Sequence, residues 1–181
     1  MSAESKKVKL AIVDCAYCGG CEIAIADLGL ELLSLLSQKV DLVYAPILMS
    51  ARDYGPVDVA FVMGAIRFVE DIKAVKEARE KAKILVAFGT CPAFGSLSTL
   101  ANLYTTEELL ESAYVTAISM EHGGKKTIPS ENVPELVNEI KPLSDYVKVD
   151  LTLPGCPPPL EVIRAGFDAL LSGQSSGGKK E

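Results

Sequence analysis

Along most of this chain, short β-branched apolar runs alternate with segments of helical period, and three of those runs lead straight into a cysteine. The runs are Val8–Asp14, Asp41–Pro46, Asp58–Gly64, Lys83–Gly89 and Val147–Leu153. Each has strand length and is bounded by turn-forming or charged residues. Between them, Cys21–Ser37 places Ile23, Ala24, Leu28, Leu32, Leu35 and Leu36 on one helical face. Val69–Ala82 is a charged amphipathic segment in which Glu77 and Lys81 form a favourable i,i+4 pair. A further helix is predicted over Thr106–Tyr114, capped by Thr105 or Thr106. A closing helix is predicted over Leu160–Leu171, entered through three prolines and ended by Gly173.

Strands that alternate with helices form a parallel sheet, because parallel neighbours need crossover connections and those crossovers cover the faces. The expected fold is therefore α/β: a flavodoxin-like open parallel sheet with helices on both faces, in a single domain. Residues 1–173 make up that domain, and the Gly-, Ser- and Lys-rich tail 174–181 is expected to be disordered. Ser96–Ile140 is long for a connection and is expected to meet a partner or to act as a lid.

Composition narrows the partners. The 181 residues carry a formal charge of −6 and no long basic run, so nucleic acid is not expected. Aromatics are 6% and Trp is absent, which also argues against a base-stacking surface. No apolar run approaches the roughly 18 residues of a membrane span, so direct membrane insertion is not expected. Met1–Lys9 is polar and basic and leads into an apolar run too short for a secretion signal, which suggests a cytoplasmic protein. A hydrophobic fraction of 49% with modest charge suits a subunit that covers part of its surface with a partner.

The chemistry lies in the five cysteines. They stand in Cys15-Ala-Tyr-Cys18-Gly-Gly-Cys21, in Gly-Thr-Cys91-Pro, and in Pro-Gly-Cys156-Pro-Pro-Pro. An odd number without a secretion signal is not a disulfide framework. Each group follows the first, fourth or fifth expected strand, and the carboxyl ends of parallel strands share one edge, where ligands bind. Cysteines far apart in sequence thus meet by topology. Neighbouring glycines let the backbone approach sulfur closely, and prolines stiffen the loops. Four thiolates suffice for one [4Fe–4S] cluster. Cys18 and Cys21 look best as the local pair, with Cys91 and Cys156 completing the set. The pair Cys15 and Cys18 has the same spacing, so Cys15 stands as an alternative ligand. The competing reading is a structural zinc or assembly module, although zinc sites more often join two C-x-x-C knuckles, and here the distant cysteines are single.

These elements in this order resemble the small subunit of nickel–iron hydrogenases, over roughly Val8 to Leu171. The resemblance implies that Cys18, Cys21, Cys91 and Cys156 hold the proximal [4Fe–4S] cluster, in a flavodoxin-like domain facing the large subunit with its nickel–iron centre. It also implies an electron relay rather than a site of H2 chemistry. Larger relatives have a second, cysteine-rich domain, and this chain ends soon after Cys156. The pattern is therefore similar to the short, single-cluster form in cytoplasmic, NAD(P)-linked hydrogenases. There the expected partners are flavin- and iron–sulfur-containing diaphorase subunits. Membrane-bound energy-converting hydrogenases and the related complex I subunit offer an alternative setting, but the latter usually has two adjacent cysteines in its first loop. FMN is associated with some relatives, yet no segment here reads as a phosphate loop. Met63 stands where the family often has a carboxylate. Glu22 is the acid nearest the cysteines and a candidate proton relay, though a glutamate in a first helical turn also simply suits the helix dipole. Tyr17 is expected to shield the site from water, whereas Asp14, Asp27 and His122 read as ordinary strand-end, helix-surface and turn residues.

Overall fold

The computed structural model describes residues 7–119 and 127–175. Its elements are β1 (Val8–Asp14), α1 (Gly20–Ala26), α2 (Leu30–Gln38), β2 (Val40–Tyr44), β3 (Val57–Met63), α3 (Val69–Lys81) and β4 (Ala82–Phe88). After these come α4 (Thr90–Phe94), a 3-10 helix (Ser96–Leu103), α5 (Thr106–Tyr114), a second 3-10 turn (Leu143–Asp145), β5 (Leu151–Leu153) and α6 (Leu160–Ser175). All neighbouring strands pair in parallel, in the order β2-β1-β3-β4-β5. This is the flavodoxin-like open sheet expected from the alternation.

Both faces are covered. Successive strand residues point to opposite sides, so Leu10, Ile12, Val59, Phe61, Val86 and Phe88 pack with Ile25, Leu28, Ile163 and Phe167 from α1, the α1–α2 link and α6. Phe61 lies 5.1 Å from Phe88 and meets the Phe167 ring edge-on at 5.7 Å. On the other face Ala11, Val13, Ala60, Val62, Leu85 and Ala87 pack with Val75 and Ala78 of α3. The small residues on this side let α3 come close to the sheet.

Several expected boundaries move. Cys21–Ser37 is two helices: Leu28 N–H bonds to Ile25 O and Gly29 N–H to Ala26 O, the tight i−3 pattern with which a helix closes. Ile23, about 140° around the helix from Leu28, is 62% exposed, while Leu28 is buried. β5 is shorter than Val147–Leu153 because Asp150 pairs differently. Its side chain accepts from Leu85 N–H at 2.9 Å and binds Arg79, while its own N–H donates to Leu85 O. α6 runs through Gly173 to Ser175, since a single glycine weakens a helix by about 1 kcal/mol without ending it. The expected disordered tail lies, beyond Ser175, outside the described residues. Thr105 is the α5 cap: Glu108 N–H donates to its hydroxyl at 3.1 Å, and Thr105 N–H donates to Glu108 Oε2 at 2.8 Å. The expected Glu77–Lys81 pair forms at 2.6 Å. Ser96–Ile140 is no plain connection, holding the first 3-10 helix and α5.

Candidate metal centre

Three loops leave the carboxyl edge of the sheet, and backbone hydrogen bonds draw them together. Past β1, Cys15 N–H donates to Met63 O at 2.8 Å, and Ala16 and Ala65 exchange bonds of 3.1 and 2.8 Å. This clamps the first cysteine loop to the end of β3. Past β4, Gly89 N–H donates to Leu153 O at 2.8 Å and Thr90 N–H to Gly155 O at 2.9 Å, while Gly155 N–H donates to the Thr90 hydroxyl. Those bonds hold the Cys91 loop against the Cys156 loop. The β1 and β4 loops meet at Gly89, whose φ of +96° already favours glycine. A Cβ on this residue would stand 2.6 Å from Cys21 Sγ, so the missing side chain is the space the sulfur occupies.

Electrostatics shows which thiols are neighbours. Burial first, then negative charge on Cys91, Cys18, Cys156 and Glu22, together push Cys21 up to about 12. Burial also raises Cys91, against a hydrogen bond with Ser96 that lowers it, and Cys156 and Cys18 add their repulsion. Cys18 and Cys156 thus stand close to both Cys21 and Cys91. Cys18 and Cys156 are exposed, while Cys21 and Cys91 are half-buried. Cys15 is buried and apart. Its thiol is raised by burial and then by Asp71 and Asp14, with no cysteine among the causes. Cys21 and Cys91 both sit in the first turn of a helix, α1 and α4.

Among the described residues, no three His, Cys, Asp or Glu side chains converge on a point where one metal ion would sit. A four-iron cluster stands between its thiolates and does not require them to meet at a point. The all-thiol donor set and the glycine cradle at Gly89 fit such a group.

Beside the cysteines lies a feature with no signature in the spacing of the chain. The Tyr17 hydroxyl donates to Glu22 Oε2 at 2.9 Å. Glu22 Oε1 and both Asp14 carboxyl oxygens are buried with no hydrogen-bond partner among the described residues. The Tyr17 proton goes to Glu22, and the same hydroxyl, close to Asp14, lowers the Asp14 carboxyl only in part. Burial, then the charge of Glu22, pushes the Asp14 carboxyl up to about 6. Asp14 is thus more than the ordinary strand-end residue expected; the available signal is an aspartate closing a wholly apolar strand directly before Cys15. Tyr17 is partly buried and packs against the α1–α6 core. Met63 is fully buried in that same core, so no ionisable group occupies its position. Asp27 is exposed, and His122 lies outside the described residues.

A parallel α/β domain with four neighbouring thiols at its carboxyl edge has the chemistry to hold a cysteine-ligated redox or metal group. The chain belongs to the family described as NADH ubiquinone oxidoreductase, 20 Kd subunit, whose model matches residues 18–170. It is 42% identical to a subunit of the vhu F420-non-reducing hydrogenase of Methanocaldococcus jannaschii, over 92% of this chain and 57% of that protein. The chain thus spans little more than half of that relative's length. It is 29% identical to the delta subunit of the NAD-reducing hydrogenase HoxS of Cupriavidus necator, over 93% of this chain and 80% of that one. The structure of an NAD+-reducing [NiFe]-hydrogenase in the H2-reduced state superposes with a TM-score of 0.85 at 31% identity, covering 93% of both chains. The small-subunit resemblance carried by the cysteine motifs is therefore shared by sequence and fold.

Proposed function

We propose that this chain is the electron-transfer small subunit of a cytoplasmic nickel–iron hydrogenase, holding one proximal [4Fe–4S] cluster through Cys18, Cys21, Cys91 and Cys156. The observation that carries the proposal is the meeting of these four thiols from three strand-end loops, with the fifth set apart. When bound, such a cluster accepts and donates single electrons. The chain's own residues hold it and set its surroundings. Gly89 leaves room for Cys21, and the Thr90–Gly155 bonds keep Cys91 beside Cys156. Tyr17 screens the first loop and orients Glu22, the candidate proton relay next to Cys21 in the chain. The like-charge repulsion that raises Cys21 and Cys91 is what bound iron would offset.

The large subunit with the nickel–iron site is one partner. The other is a flavin- and iron–sulfur-containing diaphorase that passes electrons to NAD(P), a reading supported by the superposition on the NAD+-reducing enzyme. The 42% identity to a subunit of an F420-non-reducing hydrogenase supports the hydrogenase setting and names no acceptor, so the second reading is an acceptor other than NAD(P). Among the described residues no helix is long and apolar enough to cross a membrane. Purifying the complex without oxygen and assaying H2-dependent reduction of NAD+, NADP+ and viologen dyes tests the assignment. Reduction of NAD(P)+ supports the diaphorase partner, viologen reduction alone supports the second reading, and no H2-dependent reduction of any acceptor counts against a hydrogenase subunit.

A further inference from the structure

Between α4, which carries Cys91, and the 3-10 helix Ser96–Leu103, the chain turns through two successive residues of positive φ, Gly95 at +80° and Ser96 at +53°. Glycine adopts that region freely, whereas a Cβ is strained there. Among the described residues only Ser96 and Asn132 hold a positive φ without being glycine. Asparagine is enriched in this region and serine is not, so Ser96 is the outlier. Such strain persists only where the surroundings enforce it, and it gathers at functional sites.

The enforcing contacts surround Cys91. Gly95 N–H donates to Cys91 O at 2.7 Å, which folds the turn back onto the cysteine. The Thr99 hydroxyl donates to Ser96 O at 2.7 Å. Farther along, Asn102 Nδ2 donates to Ile140 O and Ile140 N–H donates to Asn102 Oδ1, both at 2.9 Å. Ala101 packs with Cys91 against Ala65, Val137 and Ile140. Held in this way, the Ser96 hydroxyl hydrogen-bonds with the Cys91 sulfur in the sense that favours thiolate, as does the N–H of Cys91 itself. Cys21, the other half-buried thiol, has no hydrogen-bond donor among the influences on it.

We propose that Ser96 raises the reduction potential of the cluster by donating its hydroxyl hydrogen bond to Cys91 Sγ. The proposal rests on the reading of Cys91 as one of four cluster ligands. A thiol that binds iron has lost its proton, so in that pair only the hydroxyl can donate. Uptake of an electron makes the ligand sulfurs more negative, and a donor aimed at one of them favours the reduced form. Ser96 acts through Cys91 and is a positioning residue, one step out from the iron.

The test compares Ser96→Ala and Ser96→Gly with the parent in the intact, anaerobically purified complex, by iron content and by a redox titration followed by electron paramagnetic resonance. Alanine removes the hydroxyl and keeps the Cβ; glycine removes both and relieves the backbone. The Cys91 N–H is present in all three. Both variants are expected to keep their iron and to move one cluster midpoint, and no other, to lower potential by the same shift. Equal shifts tie the effect to the hydroxyl and not to the backbone. An unchanged or raised midpoint, shifts that differ between the two variants, or loss of iron from both would overturn the proposal. Absence of iron from the unsubstituted chain strikes at the four-cysteine reading instead, so the two failures are distinct.

Discussion

A methyl group added to Gly89 would lie 2.6 Å from the Cys21 sulfur, inside any normal contact distance. Gly89 follows β4 and Cys21 lies in the first turn of α1, so this contact is where two of the three cysteine loops lock together. The φ of +96° adds backbone strain for any residue but glycine. Gly89→Ala should therefore displace Cys21 and reduce bound iron by more than half, as iron per chain in the anaerobically purified complex.

The separate position of Cys15 sets up a contrast among the cysteines. Cys18→Ser, Cys21→Ser, Cys91→Ser and Cys156→Ser should each remove or degrade the iron site. Cys15→Ser should keep its iron, because Cys15 is buried away from the other four. A hydroxyl there without a partner costs about 1–3 kcal/mol, so this variant should melt lower while retaining full absorbance. Iron loss from Cys15→Ser alone, with the other four unaffected, contradicts the ligand assignment.

Asp14 gives a stability effect with a definite sign. Its carboxyl ionises near pH 6 in the folded chain, against 3.8 when free. Below about pH 4 both states are protonated and there is no cost. Between pH 4 and 6 the unfolded chain releases its proton first, so stability falls as pH rises, and the full cost applies above pH 6. Solvent screens this half-buried group, and the effect is taken as about 1 kcal/mol, or roughly 2–4 °C in Tm. Asp14→Asn, whose amide can also donate to Glu22, should melt higher than the parent at pH 8. The gain should vanish below pH 4. Thermal melts across that range check both the sign and the window.

At the opposite end of the sheet, buried Asp58 accepts Lys9 N–H at 2.9 Å and the Lys83 ammonium at 2.7 Å. Asp58→Ala leaves the Lys9 donor unpaired and should cost about 2 kcal/mol, roughly 4–8 °C in Tm. Iron content should not change, since this end of β3 is remote from the cysteine loops. Differential scanning calorimetry alongside iron analysis separates the two effects.

The sheet is legible in the sequence because its strands are short apolar runs between turn signals; β1 spans the residues its pattern predicts, and β3 and β4 differ only by single residues at their ends. The meeting of Cys21 with Cys91 and Cys156 follows from strand order, a matter of topology. What stays hidden depends on contacts. Ile23 belongs to the predicted apolar face yet is exposed, and the break between Ala26 and Leu30 carries no local signal in the apolar spacing. α4 contains Pro92, which masks a single helical turn in any reading by period. Asp150 takes its place through a bond to Leu85 N–H sixty-five residues away, and no local pattern signals that. Asp14 is recognisable as a strand end, but its lack of partners is visible only with Tyr17 and Glu22 in place.

The most direct test of the central claim is metal and sulfide analysis of the anaerobically purified complex, read with its visible spectrum. One cluster on Cys18, Cys21, Cys91 and Cys156 predicts about four irons and matching sulfide assignable to this chain, with a broad absorption near about 400 nm that dithionite bleaches. One zinc per chain, no sulfide and no colour would contradict it.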